Sequence, residues 1–217
     1  MNFYTSAIIN LCILIPAAVA LLRIKSIDKI FLPFIYFIWG GAFNEAFSSV
    51  IILMGYYNII PYNFWLLGGA LLITSQFEKW RVISSKKAYK TLQFLLVVLW
   101  LYELIVFSKF NKGFNDYFSI FRSFLAILLS ISMINSLLMK EKGDLLSNPI
   151  FIICCCFLVF FTIHIISDTF LVYGLKLGPK FRSKIHDIFE ISNLFCNLVY
   201  AFAIMRLPKK QAFSLQY

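Results

Sequence analysis

Seven apolar stretches, each close to the length needed to cross a bilayer, fill this 217-residue chain and leave only short connections between them. An α-helix rises about 1.5 Å per residue and a hydrocarbon core is about 30 Å thick, so about 20 residues make one crossing. The stretches run over 3–22, 30–54, 59–77, 91–107, 117–139, 149–173 and 185–206. None alternates apolar and polar residues as a barrel strand does. The expectation is an all-α integral membrane bundle of seven transmembrane helices, forming a single domain over 1–217. Composition agrees, with 61% hydrophobic and 14% charged residues, against about 45–50% and about 25% in soluble domains. The sequence offers no glycine-rich phosphate loop and no exposed Ser-His-Asp constellation.

Orientation follows from Lys and Arg near the helix ends, because cytoplasmic loops carry the excess. With the N-terminus outside, the inner loops and tail hold Arg23, Lys25, Lys29, Lys79, Arg81, Lys86, Lys87, Lys90, Lys140, Lys142, Arg206, Lys209 and Lys210. The outer loops hold fewer, namely Lys109, Lys112, Lys176, Lys180, Arg182 and Lys184. The expected topology is therefore N-terminus out and C-terminus in, with 174–184 as the dissenting loop. The net charge of +10 comes from loops that set topology and meet anionic headgroups. No interleaving of basic and aromatic residues points to nucleic acid, so the lipid bilayer is the expected surrounding. The first apolar run lacks a basic leader and a small-residue cleavage site, and is expected to remain as the first helix. Cys12, Cys154, Cys155, Cys156 and Cys196 all fall inside spans, where a thiol acts as a small hydrophobe. Neither a disulfide framework nor a cysteine-bound cofactor is expected.

The informative residues are the ionisable ones inside the spans, because burying charge in hydrocarbon is costly and such groups pair or face a cavity. Glu45 lies in the second span, Glu103 in the fourth, Arg122 early in the fifth, His164 and Asp168 in the sixth, and His186, Asp187 and Glu190 at the start of the seventh. With alternating helix directions all of them fall within about 15 Å of the outer surface. The inner half carries mainly Asn135 and Asn197. This asymmetry predicts a water-accessible cavity open to the outside, lined by Glu45, Glu103, Arg122, His164, Asp168, His186 and Glu190.

Two i, i+4 couples stand on consecutive helices, His164 with Asp168 and His186 with Glu190, each sharing one helix face. Three readings apply to them. Two imidazoles and two carboxylates could hold a divalent metal and, with a bound water, support hydrolysis; known seven-helix zinc hydrolases of the ceramidase and adiponectin-receptor type use three histidines, and this chain has two. The couples could instead fix helix packing as internal pairs. They could also act as a proton-sensitive switch, since histidine titrates near neutral pH. Glu45 follows Asn44 and the Gly40-Gly41 pair, and its expected partner is Arg122 or a backbone group. Glu103, beside Trp100 and Tyr102, reads as an interfacial carboxylate that snorkels outward. Trp39, Trp65, Trp80 and Trp100 read as interface anchors or packing residues.

The stretch from Phe43-Asn44-Glu45 to Gly55, then Asn63-Phe64-Trp65 and Phe77-Glu78, then Asn148-Pro149-Ile150-Phe151, then His186-Asp187-Ile188 through Asn193 and Asn197, resembles a family of small bacterial seven-helix proteins. That family is similar in layout to the sensory membrane regions fused to, or encoded beside, sensor histidine kinases. The resemblance implies a multi-pass protein of the bacterial inner membrane, without a kinase of its own, that signals to a membrane or cytoplasmic protein partner. It transfers no residue roles to Glu45, Asn148, Pro149 or His186. A non-enzymatic receptor-like or assembly subunit is the favoured function. The metal-dependent hydrolase and a small-solute carrier are the alternatives, the carrier being disfavoured by the lack of broken helices beyond Gly40-Gly41 and Gly68-Gly69.

Overall fold

The computed structural model describes residues 9–106, 113–140, 144–172 and 178–208. Seven α-helices occupy them: α1 (Leu14–Arg23), α2 (Leu32–Leu53), α3 (Ile59–Lys79), α4 (Lys86–Val106), α5 (Asp116–Lys140), α6 (Pro149–Val172) and α7 (Pro179–Arg206). Each falls on one of the seven predicted stretches. Five segments are long and apolar enough to cross a membrane: Lys29–Leu53, Lys86–Val106, Asp116–Met139, Pro149–Phe170 and Ser183–Arg206. The other two predicted spans differ for separate reasons. Within the described residues the first apolar helix covers only Leu11–Arg23, and the start of that predicted span, 3–8, lies outside them, as do Phe107 and Tyr173. The third, α3, is long enough but carries Asn63, Thr74, Ser75, Gln76, Glu78 and Lys79.

Local signals explain most helix boundaries. Asp28 accepts a hydrogen bond from the Ile30 amide at 2.9 Å in the turn leading into α2, and Pro33 occupies the first turn, where its missing N–H costs nothing. Past the end of α2, Gly55 takes φ +82°, the left-handed conformation that glycine adopts without strain. Asn148 Oδ1 accepts from the amides of Ile150 and Phe151 and so caps α6. Helix α4 begins at Lys86 and α7 at Pro179, both about one to two turns earlier than apolarity alone predicts. The extra turns carry Lys86, Lys87 and Lys90 in α4 and Lys180, Arg182 and Lys184 in α7, charges that an apolarity criterion excludes and helix geometry does not.

The helices pack in sequence order, with α1 returning to α7 to close the bundle and α3 also touching α5. Consecutive helices run antiparallel: Gln76 at the end of α3 meets Phe34 at the start of α2, Glu103 late in α4 meets the start of α5, and Phe170 late in α6 meets Phe181 early in α7. The connections α2–α3, α4–α5 and α6–α7 therefore share one end of the bundle, and α1–α2, α3–α4 and α5–α6 share the other.

That second end is packed shut. Phe34 is edge-on to Phe157 and Tyr200, Phe77 packs on Phe157 and Trp80, and Phe37 joins the same cluster. Edge-to-face pairs of this kind contribute about 0.5–1.5 kcal/mol beyond area burial. Polar side chains of α3 bind their neighbours here, and the same residues keep α3 from being one of the membrane-crossing apolar segments. Gln76 accepts from the Phe34 amide and donates to the Ile30 carbonyl, both at 2.8 Å, satisfying groups at the start of α2. Gln93 of α4 donates to Thr74 Oγ1 at 2.8 Å and to the Leu71 carbonyl at 3.1 Å. Arg23 donates to the carbonyls of Ile204 and Leu207, tying the end of α1 to the end of α7.

The tryptophans are packing residues. Trp80 and Trp100 are buried, Trp100 Nε1 donates to the Asn63 carbonyl and Trp39 Nε1 to the Ala17 carbonyl. The Trp65 ring lies against Gly40 and Gly41 so closely that a Cβ at Gly40 would collide with it. The Gly-Gly pair thus serves the α2–α3 approach expected of small residues.

Candidate functional site

At the α2–α3, α4–α5 and α6–α7 end, a vestibule of about 500 Å³ opens between Asn58, Tyr62, Phe114, Asp116, Ser119, His164, Ser167, Asp168, Phe170, Ser183, Ile185, His186 and Phe189. Its size suits a small-molecule site, which commonly spans about 300–1,000 Å³. A second chamber of about 150 Å³ continues toward the bundle middle, lined by Asn44, Glu45, Trp65, Arg122, Phe160, Asn193, Asn197 and others. Tyr62, His164 and Phe189 border both spaces and form the neck between them. The cavity arises because the aromatic core fills only the opposite half of the bundle, while α5, α6 and α7 present polar side chains in this half.

Helix α5 contributes Asp116 and Ser119 to the vestibule and Arg122 to the chamber. Asn115, Ser119, Arg122 and Ser123 are spaced i, i+4, i+7 and i+8, which places them on one stripe. All four are buried, and each has a side-chain atom with no hydrogen-bond partner within the protein: both amide atoms of Asn115, Oγ of Ser119 and Ser123, and Nε of Arg122. Buried polar groups are ordinarily satisfied, so four in succession on one face mark a surface with unused hydrogen-bonding capacity.

Arg122 is 5% exposed. Its guanidinium sits 5.5 Å from the Phe161 ring centroid, a cation–π arrangement, and a Cβ on Gly69 would lie 3.4 Å from Nη1. Glycine at 69 therefore leaves room for the guanidinium against α3. Among the described residues no salt bridge to Arg122 is formed; Asp168 acts on it only through space. The pairing with Glu45 expected from the sequence is not made. Glu45 is half-buried on the α2 wall of the same chamber, whereas the guanidinium is held on the α3–α6 side by Gly69 and Phe161.

His164 Nδ1 and Asp168 Oδ2 are 2.8 Å apart, so the first predicted couple forms. Asp168 lines the vestibule, and His164 reaches both spaces. The imidazole is held edge-to-face by Phe189 at 5.3 Å and by Phe160 at 5.7 Å, which fixes its orientation at the neck. The second couple also forms, with His186 Nδ1 3.2 Å from Glu190 Oε1, but its members differ in exposure: His186 is 61% exposed and Glu190 1%. His186 stands at the mouth of the vestibule, while Glu190, one turn further along α7, is buried in the protein.

The structure does not bring the four residues of the two couples into one metal site. Among the described residues, one group of three potential ligands lies within mutual reach of an ion, with ligand atoms within 4.8 Å of one another: His186, Asp187 and Glu190. His164 and Asp168 belong to the neighbouring helix and are not part of it.

Glu103 departs most from expectation. It is 3% exposed, turned into the bundle rather than snorkelling outward, and its two oxygens accept from the amides of Tyr117 and Phe118 at 3.2 and 2.6 Å. A helix N-terminus offers unpaired N–H groups and a partial positive charge, so a carboxylate from α4 capping α5 is stabilising. The role of Glu103 is to anchor α5, whose next turns carry Ser119 and Arg122. Asn63 assists by accepting from the Asn115 amide at 3.0 Å and donating to the Gly113 carbonyl at 3.2 Å.

Sequence reasoning missed Tyr62, Asp116, Ser119 and Ser167 as lining residues. A projection of the fifth span onto a helical wheel would have found the Ser119-Arg122-Ser123 face. No such signal existed for Tyr62, which only the packing of α3 places at the neck. No family model matches the chain, and no curated protein and no solved structure matches it.

Proposed function

We infer that this chain is a receptor-like or assembly subunit of a membrane, which binds a small polar ligand, ion or proton in the cavity and passes the change to a protein partner. The observation that carries this reading is the two-compartment cavity, open at one end of an apolar bundle and backed by a closed aromatic core. A bundle built for passage would need a weak point at the far end, where this one has Phe34, Phe77, Phe157 and Tyr200 in mutual ring contact. Three of the cavity-bordering elements, α5, α6 and α7, pack directly on one another in sequence, so a ligand that pulls His164 or Arg122 acts on helices that run to the opposite end.

In this reading all seven helices cross the bilayer, α3 being shielded by its neighbours. The N-terminus is outside, the vestibule faces outward, and the membrane is a bacterial inner membrane, as the basic-loop asymmetry and the resemblance to sensory seven-helix regions imply. The basic inner loops and the tail to Tyr217 meet the partner; Lys142 and the tail residues 209–217 lie outside the described residues. Gentle-detergent purification of the tagged protein from its host, with mass spectrometry of copurifying chains, tests the reading. A stoichiometric protein partner is the expected result, and a solitary chain in native membranes would refute it.

The His186-Asp187-Glu190 group favours one second reading, a metal-dependent activity at the vestibule mouth. About one metal per purified chain, lost on His186→Ala and retained on His164→Ala, would select it.

A further inference from the structure

We propose that the inner chamber is a monocarboxylate site, in which the Arg122 guanidinium grips a ligand carboxylate while the ligand's compact apolar body lies against the aromatic and aliphatic walls of the same chamber. The inference rests on the ligand-binding reading of the cavity and names the ligand's chemical class. Three observations converge on it. Arg122 is buried, lines the chamber and has Nε without a hydrogen-bond partner in the protein. An isolated buried charge is strongly disfavoured, and the guanidinium fork matches a carboxylate bidentately. The same stripe holds Ser119, which lines the vestibule and whose buried hydroxyl oxygen has no partner either.

The walls decide the rest of the ligand. Trp65, Leu66, Phe160 and Phe189 line the chamber, and a volume of about 150 Å³ is of the order that admits a benzene-sized group. Glu45 on the facing wall and Asp168 at the vestibule set the charge. The guanidinium fork receives one carboxylate, and a second negative charge on the ligand would meet the field of Glu45 and Asp168, so a monoanion with an apolar body fits where phosphate or a dicarboxylate does not. Selectivity is thus built from an attractive cation and a repulsive carboxylate together.

The test uses the full chain in lipid nanodiscs, with calorimetric titration of benzoate, its neutral analogue benzamide and inorganic phosphate. Benzoate is expected to bind about tenfold to hundredfold more tightly than benzamide, the range of a desolvated charge-assisted hydrogen bond, and phosphate is expected not to compete. Arg122→Met should abolish the preference for benzoate over benzamide, and Arg122→Lys should keep only part of it. Glu45→Gln should tighten benzoate binding and let phosphate compete; this arm does not depend on Arg122 variants folding. Equal affinity for benzoate and benzamide, an undiminished preference in Arg122→Met, or phosphate competition in the unaltered protein would each overturn the proposal. A water-soluble thiol reagent applied to Asp168→Cys, a partly exposed vestibule position, and compared with the unaltered protein, separates this failure from that of the parent reading. Labelling without benzoate preference removes only the monocarboxylate, whereas absence of labelling removes the open cavity itself.

Discussion

Removing the Glu103 carboxylate should unfasten the start of α5. The side chain is 3% exposed, so its bonds to the Tyr117 and Phe118 amides at 3.2 and 2.6 Å are made out of water. Hydrogen bonds to charged groups contribute about 1.5–3 kcal/mol each, and a carboxylate at a helix N-terminus gains about 0.3–2 kcal/mol more from the helix dipole. The two bonds share one carboxylate and are not additive, and opening the site lets water recover part of the loss. The expected cost of Glu103→Ala is therefore about 2–4 kcal/mol, and of Glu103→Gln, which keeps one acceptor and loses the charge, about 1–2 kcal/mol. The assay is equilibrium unfolding of the purified protein in mixed micelles of rising SDS fraction, followed by tryptophan fluorescence. Trp100, on α4 one turn before Glu103, is a local reporter. Two results would refute the capping argument: a Glu103→Ala variant within about 0.5 kcal/mol of the parent protein, or a Glu103→Gln variant that unfolds like the parent yet loses ligand binding. The second would return Glu103 to the cavity role that the sequence first assigned to it.

Three further outcomes follow from the packing. Gly40→Ala should destabilise by about 1–3 kcal/mol through overpacking against Trp65, whereas Gly68→Ala, whose Cβ would meet only Trp65 Cε3 at 3.9 Å, should be neutral or stabilising by up to about 1 kcal/mol; micelle unfolding of the two variants side by side decides it. Arg81, just past α3, holds φ 61°, a conformation that favours glycine, so Arg81→Gly should raise stability by about 0.5–1 kcal/mol, read as a higher melting temperature. Gln76→Leu should cost about 2–3 kcal/mol, because it orphans the Phe34 amide and the Ile30 carbonyl together; amide hydrogen exchange should then rise at the start of α2, and unchanged protection there would contradict the argument.

Much of the fold was legible because apolarity over about 20 residues is a local property. Every predicted stretch holds a helix, and Asn148-Pro149 marked the start of α6 where the cap is found. The exceptions are instructive. The first turns of α4 and α7 were invisible to an apolarity count because they carry lysines and an arginine. Helix α3 shows the reverse, an element whose polar residues dilute the membrane signal because Asn63, Thr74 and Gln76 bind neighbouring helices.

The sequence by itself determined the class of the protein, the number and positions of its helices, and the crowding of ionisable residues toward one end of the bundle. It also determined both His couples, since i, i+4 spacing places two side chains on one helix face whatever surrounds the helix. Only the tertiary structure decided what those charges do. Burial, partners and cavity walls depend on which face of each helix meets which neighbour, and spacing along one chain does not carry that information. Thus Glu103 became a cap because α4 delivers it to the open end of α5, and Arg122 became the cation of a chamber because its guanidinium lies over the Phe161 ring and beside Gly69. The vestibule, the neck at Tyr62, His164 and Phe189, and the closed aromatic end exist only where helices distant in sequence converge.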